Sequence, residues 1–179
     1  MHKDVEKILV SEEQISETVI RIANEINRDL NDEPLLVIVI LKGSTPFAMD
    51  LIRKLTMPVE IDFMQVSSYG KSTASDGFIN VKRDLEQDIS GKNVLIVEDI
   101  IDSGNTLNKL KTLFESRNAK SVRICTLLDK PSRRVVDVKV DYSGIGIPDE
   151  FAIGYGLDYD EQYRNLPYIG VLKRCVYEK

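Results

Sequence analysis

The sequence predicts an α/β protein, in which a mostly parallel twisted sheet is flanked by helices and carries a small cap, or hood. Residues 35–41 and 94–97 are uninterrupted apolar runs, the pattern of strands buried on both faces of a parallel sheet. Helical spacing of apolar residues follows each run, as in βαβ units. After about residue 132 this alternation stops, and short segments rich in glycine and proline replace it.

The first elements are a helix, a strand and a second helix. Ser11 and Gln14 have the spacing of a capping box, and the helix they begin keeps one face apolar through Ile15, Val19, Ile22, Ala23, Ile26 and Leu30. Residues 31–34 break the chain before the strand at 35–41. Thr45 and Pro46 then begin a helix whose inward side is predicted to contain Phe47, Leu51, Ile52 and Leu55.

The middle of the chain continues the sheet. Residues 59–67 alternate apolar and polar side chains, as a half-buried strand does. The polar, glycine-bearing residues 68–77 predict a mobile loop, and a short strand pair is expected around 78–85. Residues 121–128 are a further sheet strand. Because ligands of such sheets bind beyond the carboxyl ends of the strands, that edge is where we expect the site.

The last quarter of the chain predicts a hood over this edge. Its short strands and turns contain Gly144, Gly146, Pro148, Gly154, Gly156 and Pro167. We expect it to pack with the N-terminal helix and not to form a second domain, because 179 residues are few for two cores. The expected organisation is one domain, residues 1–179, with a core at about 35–130 and a hood at about 1–30 and 132–179.

Composition excludes several classes of protein. With 42% hydrophobic and 30% charged residues the chain is an ordinary globular protein, and a net charge of −5 argues against nucleic-acid binding. No apolar run approaches the roughly 20 residues that span a bilayer, so no membrane partner is expected. The N-terminus lacks a signal-peptide pattern, and Cys125 and Cys175 have no partner motif, which predicts a cytoplasmic protein. The only histidine is His2, which excludes histidine catalysis.

Residues 94–106, VLIVEDIIDSGNT, carry the most chemistry. Glu98 and Asp99 are predicted to end a buried strand, and a turn and helix start follow with Asp102, Ser103, Gly104, Asn105 and Thr106. Backbone N–H groups and hydroxyls at a helix N-terminus bind phosphate, and carboxylates accept from ribose hydroxyls or from hydrated Mg²⁺. The plainer alternative is an acidic turn with a good N-cap.

This run resembles the phosphoribosyl-pyrophosphate signature of the type I phosphoribosyltransferases, and it matches their hypoxanthine-guanine branch almost residue for residue. The resemblance extends over about residues 35–172. It implies a purine salvage enzyme that transfers the phosphoribosyl group of phosphoribosyl pyrophosphate to N9 of hypoxanthine or guanine. The products would be IMP or GMP and pyrophosphate.

The resemblance assigns the acidic run to the ribose phosphate. Glu98 and Asp99 would bind the ribose 2′- and 3′-hydroxyls, and residues 102–106 would hold the 5′-phosphate. Asp102 is the candidate general base for the purine N7 proton. Its alternative role is that of an N-cap carboxylate, and the two roles are compatible.

The leaving group would lie on other residues. Lys42 and Gly43 match the family's pyrophosphate loop, in which a non-proline cis peptide often precedes the lysine, a feature the sequence cannot show. Arg164 matches the arginine that contacts pyrophosphate. Mg²⁺ is implied because one lysine and one arginine neutralise this leaving group only in part. Its candidate ligands are Glu98, Asp99 and Asp158.

The purine would lie between Lys130 and the hood. Lys130 matches the lysine that donates to the O6 acceptor of a 6-oxopurine, so adenine should be rejected. Phe151 matches the aromatic residue that stacks on the base, Ala152 would offer backbone contacts to the base edge, and Asp158 would help orient the purine. The alternatives are a solvated loop lysine at Lys130 and a core phenylalanine at Phe151.

The family also implies a lid and an oligomer. Ser68 and Tyr69 match the flexible loop that closes on the reaction centre and excludes water. Family members are usually homodimers or homotetramers, with the region around Lys42 near a subunit interface, so we expect a homo-oligomer here.

Two other functions stay open. A xanthine-preferring transferase would also read O6, and the backbone groups that would read the purine C2 substituent cannot be identified from the sequence. A regulator on the same fold would sense phosphoribosyl pyrophosphate and bind nucleic acid. The acidic charge and the presence of Lys130, Phe151, Asp158 and Arg164 argue against the regulator.

Overall fold

The computed structural model describes residues 1–67 and 80–178. The strands there are β1 (Val5–Val10), β2 (Leu35–Ile40), β3 (Val59–Ser67), β4 (Asn80–Arg83), β5 (Asn93–Ile101), β6 (Ser121–Asp129), β7 (Tyr142–Gly146), β8 (Ala152–Ile153) and β9 (Ile169–Leu172). The helices are α1 (Glu12–Leu30), α2 (Thr45–Ile52), α3 (Asn105–Ser116) and α4 (Arg174–Tyr177). Within the described ranges no helix is long and apolar enough to cross a bilayer.

A six-stranded sheet with the order β4-β3-β2-β5-β6-β7 forms the centre of the molecule. Five of its strands run parallel, and β4 lies antiparallel to β3, so the predicted α/β fold class is confirmed. Of the strand pair expected around residues 78–85 the structure describes one strand, β4, whose partner is β3. The predicted lid residues Ser68 and Tyr69 lie outside the described residues.

Helices cover both faces of this sheet. α1 and α2 pack against the odd-numbered residues of β2, and α3 packs on the opposite face, against the even-numbered ones. The capping box is present, since Ser11 Oγ accepts from Gln14 N at 3.3 Å and Gln14 Oε1 accepts from Ser11 N at 2.9 Å. The whole predicted apolar face of α1 is buried. In α2, Phe47 and Leu51 are buried as predicted, whereas Leu55 lies beyond the helix end.

The predicted hood contains a three-stranded antiparallel sheet with the order β1-β9-β8. β1 was not predicted as a strand, and α1 packs in one core cluster with β2 and with Ile169 of β9. β7 also belongs to the large sheet, where it pairs with β6. Gly144 made this segment resemble a turn, yet a Cβ there would lie 2.0 Å from Leu127 O, so only glycine permits this close strand contact. We use the name hood for β1 and the chain after β7.

Candidate active site at the carboxyl edge of the sheet

The acidic pair lies inside a strand and not at its end. β5 continues to Ile101, because its ladder with β6 extends through Glu98, opposite Thr126, to Ile101, opposite Asp129. The expectation that Glu98 and Asp99 end the strand is therefore wrong. The sheet itself holds the backbone of both acids.

Both acids are half-buried, and the charge of Asp99 acts on Glu98. Loss of hydration raises the pKa of Glu98 well above its usual value, and the Asp99 charge raises it further. Burial also raises the pKa of Asp99 to about 6, although its backbone hydrogen bonds and the Arg164 guanidinium oppose the shift. Among the described residues Glu98 Oε2 is buried with no hydrogen-bond partner. Glu98 thus has hydrogen-bonding capacity that the protein leaves unfilled.

A glycine turn leads from these acids to α3. Gly104 has φ +82° and is the N-cap of α3, where it makes no side-chain cap hydrogen bond. The alternative role of Asp102 as the N-cap residue is therefore wrong. Ser103 Oγ accepts from Asn105 N at 3.4 Å and from Asn105 Nδ2 at 3.2 Å. The first-turn N–H groups, which include that of Thr106, form the type of helix start that binds phosphate.

The loop after β2 packs directly against the acidic pair. The Leu41–Lys42 peptide is cis, which answers a question that the sequence left open. A Cβ added to Gly43 would lie 1.7 Å from Asp99 Oδ2, so the absence of a side chain lets the loop reach the acid. Gly156 O, in the hood, would be 3.5 Å from the same Cβ. The loop, β5 and the hood therefore meet at Gly43.

Arg164 is anchored in the hood beside this loop. It donates through Nη1 to Gly156 O at 2.8 Å, and its Nη2 lies 2.9 Å from Asp158 Oδ1 and 3.2 Å from Glu161 Oε2. Lys42 Nζ lies 3.0 Å from the same Glu161 oxygen. The structure thus brings together the predicted residues Lys42, Arg164 and Asp158. It adds Glu161, which the sequence analysis missed because its link to Lys42 joins distant parts of the chain.

Lys130 lies on the other side of the acids, after β6. It is 7% exposed, so the alternative of a solvated loop lysine is wrong. Its Nζ donates to Glu150 O at 2.8 Å, and it lies 4.0 Å from Asp102 Oδ1 and 3.9 Å from Asp149 Oδ1. A buried ammonium group held by one carbonyl still has donors to offer a ligand.

Phe151 is 38% exposed, so the alternative of a core phenylalanine is wrong. Its ring stacks on Tyr177 with centroids 5.0 Å apart, and Tyr159 meets it edge-on at 5.6 Å. Neither tyrosine was predicted to be part of the site. Ala152 begins β8 and pairs with Val171 of β9. This pairing fixes the backbone next to Phe151, whose ring forms an aromatic cluster with Tyr159 and Tyr177.

Comparisons with known proteins agree with this architecture. The family model of the phosphoribosyl transferase domain matches residues 7–160. The hypoxanthine-guanine phosphoribosyltransferase of Bacillus subtilis is 52% identical over 178 residues, 99% of each chain. A solved hypoxanthine phosphoribosyltransferase of Staphylococcus aureus has a TM-score of 0.95 and 46% identity, covering 100% of this chain and 97% of its own.

A more distant solved relative extends the comparison beyond bacteria. The hypoxanthine phosphoribosyl transferase of Trypanosoma cruzi has a TM-score of 0.94 and 41% identity, over 99% of this chain and 96% of its own. Its C-terminal region was studied for a role in oligomeric state and enzymatic activity.

Fold and family together define an α/β transferase, whose candidate site lies at the carboxyl edge of the sheet. The acids of β5, the helix start of α3 and the buried lysine after β6 stand side by side there. The chain belongs to the phosphoribosyltransferase family, and within it to the hypoxanthine-guanine group.

Replacing Gly43 with alanine is expected to disrupt the site. The new methyl group would overlap Asp99 Oδ2 and lie 2.9 Å from Asp99 Cγ, so the acid or the loop must move. We expect a loss of roughly 1–3 kcal/mol of stability and about a tenfold or greater loss of kcat/KM. Gly146→Ala is the matched control, because a Cβ there meets no described heavy atom within 4 Å. Equal activity of the two variants would contradict the overlap.

Asp99→Asn is expected to stabilise the fold at neutral pH. The folded-state pKa of about 6 exceeds the unfolded value of about 3.9, so the folded state binds the proton more tightly. The contribution of Asp99 is therefore complete below about pH 4 and is lost as the pH rises through about 6. Urea unfolding at several pH values should show a gain on the order of 1–3 kcal/mol near pH 7 and a flatter pH dependence. An unchanged pH dependence would mean that Asp99 ionises freely in the folded protein.

Proposed function

We propose that this enzyme transfers the 5-phosphoribosyl group of phosphoribosyl pyrophosphate to N9 of hypoxanthine and guanine. The products are IMP or GMP and pyrophosphate. The observation that carries this proposal is the buried Lys130, whose Nζ lies 4.0 Å from Asp102 Oδ1 at the carboxyl edge. A donor and an acceptor at that separation match the O6 acceptor and N7–H donor on one edge of a 6-oxopurine.

Glu98 and Asp99 serve the ribose in this proposal. Their unfilled acceptor capacity suits the 2′- and 3′-hydroxyls, which would supply the donors that Glu98 Oε2 lacks. The transition state of the family resembles an oxocarbenium ion, and carboxylates held in an enclosed site stabilise such positive charge. The 5′-phosphate lies on the turn of residues 103–106, where the start of α3 provides N–H donors.

Asp102 is the proposed general base, and Lys130 is the selector of the base. As N9 bonds to the ribose the purine loses its N7 proton, which the Asp102 carboxylate accepts. Lys130 donates to O6, so adenine, which has an amino group there, is rejected. Phe151, backed by Tyr177, offers the face of its ring to the purine, and Ala152 offers backbone groups to the base edge.

Lys42, Gly43 and Arg164 bind the pyrophosphate. Glu161 Oε2 bridges both cations, so the incoming pyrophosphate must compete with this carboxylate. Mg²⁺ is the proposed cofactor. Its proposed oxygen ligands are Glu98, Asp99 and Asp158, and the unpartnered Glu98 Oε2 has capacity for a cation. Among the described residues no three acids, histidines or cysteines lie close enough together to hold an ion by themselves, so the pyrophosphate and water would complete the coordination. When bound, the ion would neutralise charge on the leaving group.

Three further proposals accompany this function. Ser68 and Tyr69 act as the lid that keeps water from the reaction centre. The enzyme is a homodimer or homotetramer, as light scattering can test. We also propose a cytoplasmic, reducing location, since both Cys125 and Cys175 are free thiols.

The deciding experiment is steady-state nucleotide formation from phosphoribosyl pyrophosphate and Mg²⁺. Hypoxanthine, guanine, xanthine, adenine and uracil are supplied separately. We expect turnover of the first two and none of adenine or uracil. Preference for xanthine would reassign the purine, and tight binding of phosphoribosyl pyrophosphate without any turnover would indicate a sensor.

A further inference from the structure

The segment that follows Lys130 folds back over the turn of residues 103–106. Val135 N and Val136 N both donate to Ser103 O at 3.0 Å. A Cβ added to Gly104 would lie 2.9 Å from Val136 O and 3.2 Å from Arg134 Cδ. The turn is therefore clamped from one side by residues 134–136.

Arg134 joins this turn to the end of β6. Its Nε donates to Asp102 O at 3.1 Å, and its Nη2 pairs with Asp129 Oδ1. The side chains of Arg134 and Asp129 are 21% and 24% exposed, so the pair is mostly shielded from water. A guanidinium is a rigid planar fork, and two acceptors on its separate arms are held at a fixed spacing.

Arg134 bonds to Asp102 and to Asp129. Asp102 is proposed to bind N7 of the purine, and Asp129 adjoins Lys130, which is proposed to bind O6. Asp129 immediately precedes Lys130, whose N–H donates to Ile101 O at 3.0 Å. Asp102 is the proposed base. Both Asp102 and Lys130 must meet the same purine at once, and a misplacement of about 1 Å can cost on the order of 100-fold in rate.

We propose that Arg134 is a positioning residue that sets the spacing between Asp102 and Lys130. It acts through the Asp102 carbonyl and the Asp129 carboxylate and not by contact with substrate. Both hydrogen bonds of Arg134 go to the protein, one to Asp102 O and one to Asp129. This inference rests on the proposed function, and it adds to it a residue whose loss should slow turnover more than it weakens phosphoribosyl pyrophosphate binding.

The test compares Arg134→Ala and Arg134→Lys with the wild type. We expect Arg134→Ala to lower kcat for hypoxanthine by roughly 10- to 100-fold. The Kd for phosphoribosyl pyrophosphate with Mg²⁺, measured by calorimetry, should change by less than about threefold, because the helix start and the Val135 and Val136 contacts remain. Arg134→Lys should restore part of the rate, since one ammonium reaches one acceptor but not both.

Arg133→Ala is the matched control. The Arg133 guanidinium forms an ion pair with the exposed Asp149 carboxylate at 3.3 Å and does not contact the turn. We therefore expect near wild-type turnover. Rates are taken at temperatures where circular dichroism shows every variant folded. If Arg134→Ala does not fold, Asp129→Asn weakens the same link and should lower kcat in the same direction.

Three results would overturn the inference. Arg134→Ala could equal the wild type, could weaken phosphoribosyl pyrophosphate binding as much as it lowers kcat, or could lose activity only in proportion to its unfolded fraction. The proposed function is tested apart from this. A wild type inactive on every purine contradicts that function, whereas an active wild type with an equally active Arg134→Ala contradicts only the positioning role.

Discussion

Asp102→Asn is expected to lower kcat by roughly 10²- to 10⁴-fold and to leave phosphoribosyl pyrophosphate binding nearly unchanged. An amide is nearly isosteric with the carboxylate but cannot accept the N7 proton. The turn that we propose holds the 5′-phosphate is fixed by backbone hydrogen bonds to Ser103 O and by Gly104, neither of which the substitution removes. Single-turnover kinetics and calorimetry on the same variant separate the two effects.

The control for this variant is Asp149→Asn. Asp149 Oδ1 lies 3.9 Å from Lys130 Nζ, almost the same distance as Asp102 Oδ1 at 4.0 Å. Removing either charge therefore changes the field at the ammonium to a similar degree. A large loss with Asp102→Asn alone supports proton transfer. Equal losses would assign the effect to the electrostatics of Lys130, and normal turnover of Asp102→Asn would remove it as the base.

Local pattern was enough to predict most of the sheet. The apolar run that became β2 is buried at every residue, and the capping box of α1 lies within four consecutive residues. β1 and β7 were missed for a different reason. β1 is stabilised by pairing with β9 from the other end of the chain, and β7 contains Gly144, whose close contact with Leu127 is visible only in the folded protein.

The same division applies to the candidate site. Its acids and the turn before α3 are contiguous between Glu98 and Thr106, so their order along the chain was sufficient to place them next to each other. Glu161 forms an ion pair with Lys42, which is 119 positions away in the sequence. The ring of Tyr177 stacks on that of Phe151, which is also distant in the sequence. Arg134 contacts a backbone carbonyl, for which no side-chain motif exists. Contacts of these kinds require the tertiary structure.

Lys130→Met is expected to abolish most use of 6-oxopurines while sparing the phosphoribosyl pyrophosphate side. Methionine keeps much of the buried stem but has no donor for O6. Sites that hydrogen-bond a substrate group discriminate by about 10⁴-fold, so a fall of roughly 10²- to 10⁴-fold in kcat/KM for hypoxanthine is expected. The variant should also reject adenine less strongly relative to hypoxanthine, because the group that opposes the amino substituent is gone.

Lys42→Met is the comparison that makes this result specific. Lys42 is an exposed cation that we propose binds pyrophosphate, and it pairs with Glu161 and not with the acids beside Lys130. Its loss should raise the KM for phosphoribosyl pyrophosphate and leave the ratio of hypoxanthine to adenine use unchanged. If both lysine variants lost affinity for both substrates equally, neither cation would select a base. The buried ammonium beside Asp102 would then serve the stability of the site and not its specificity.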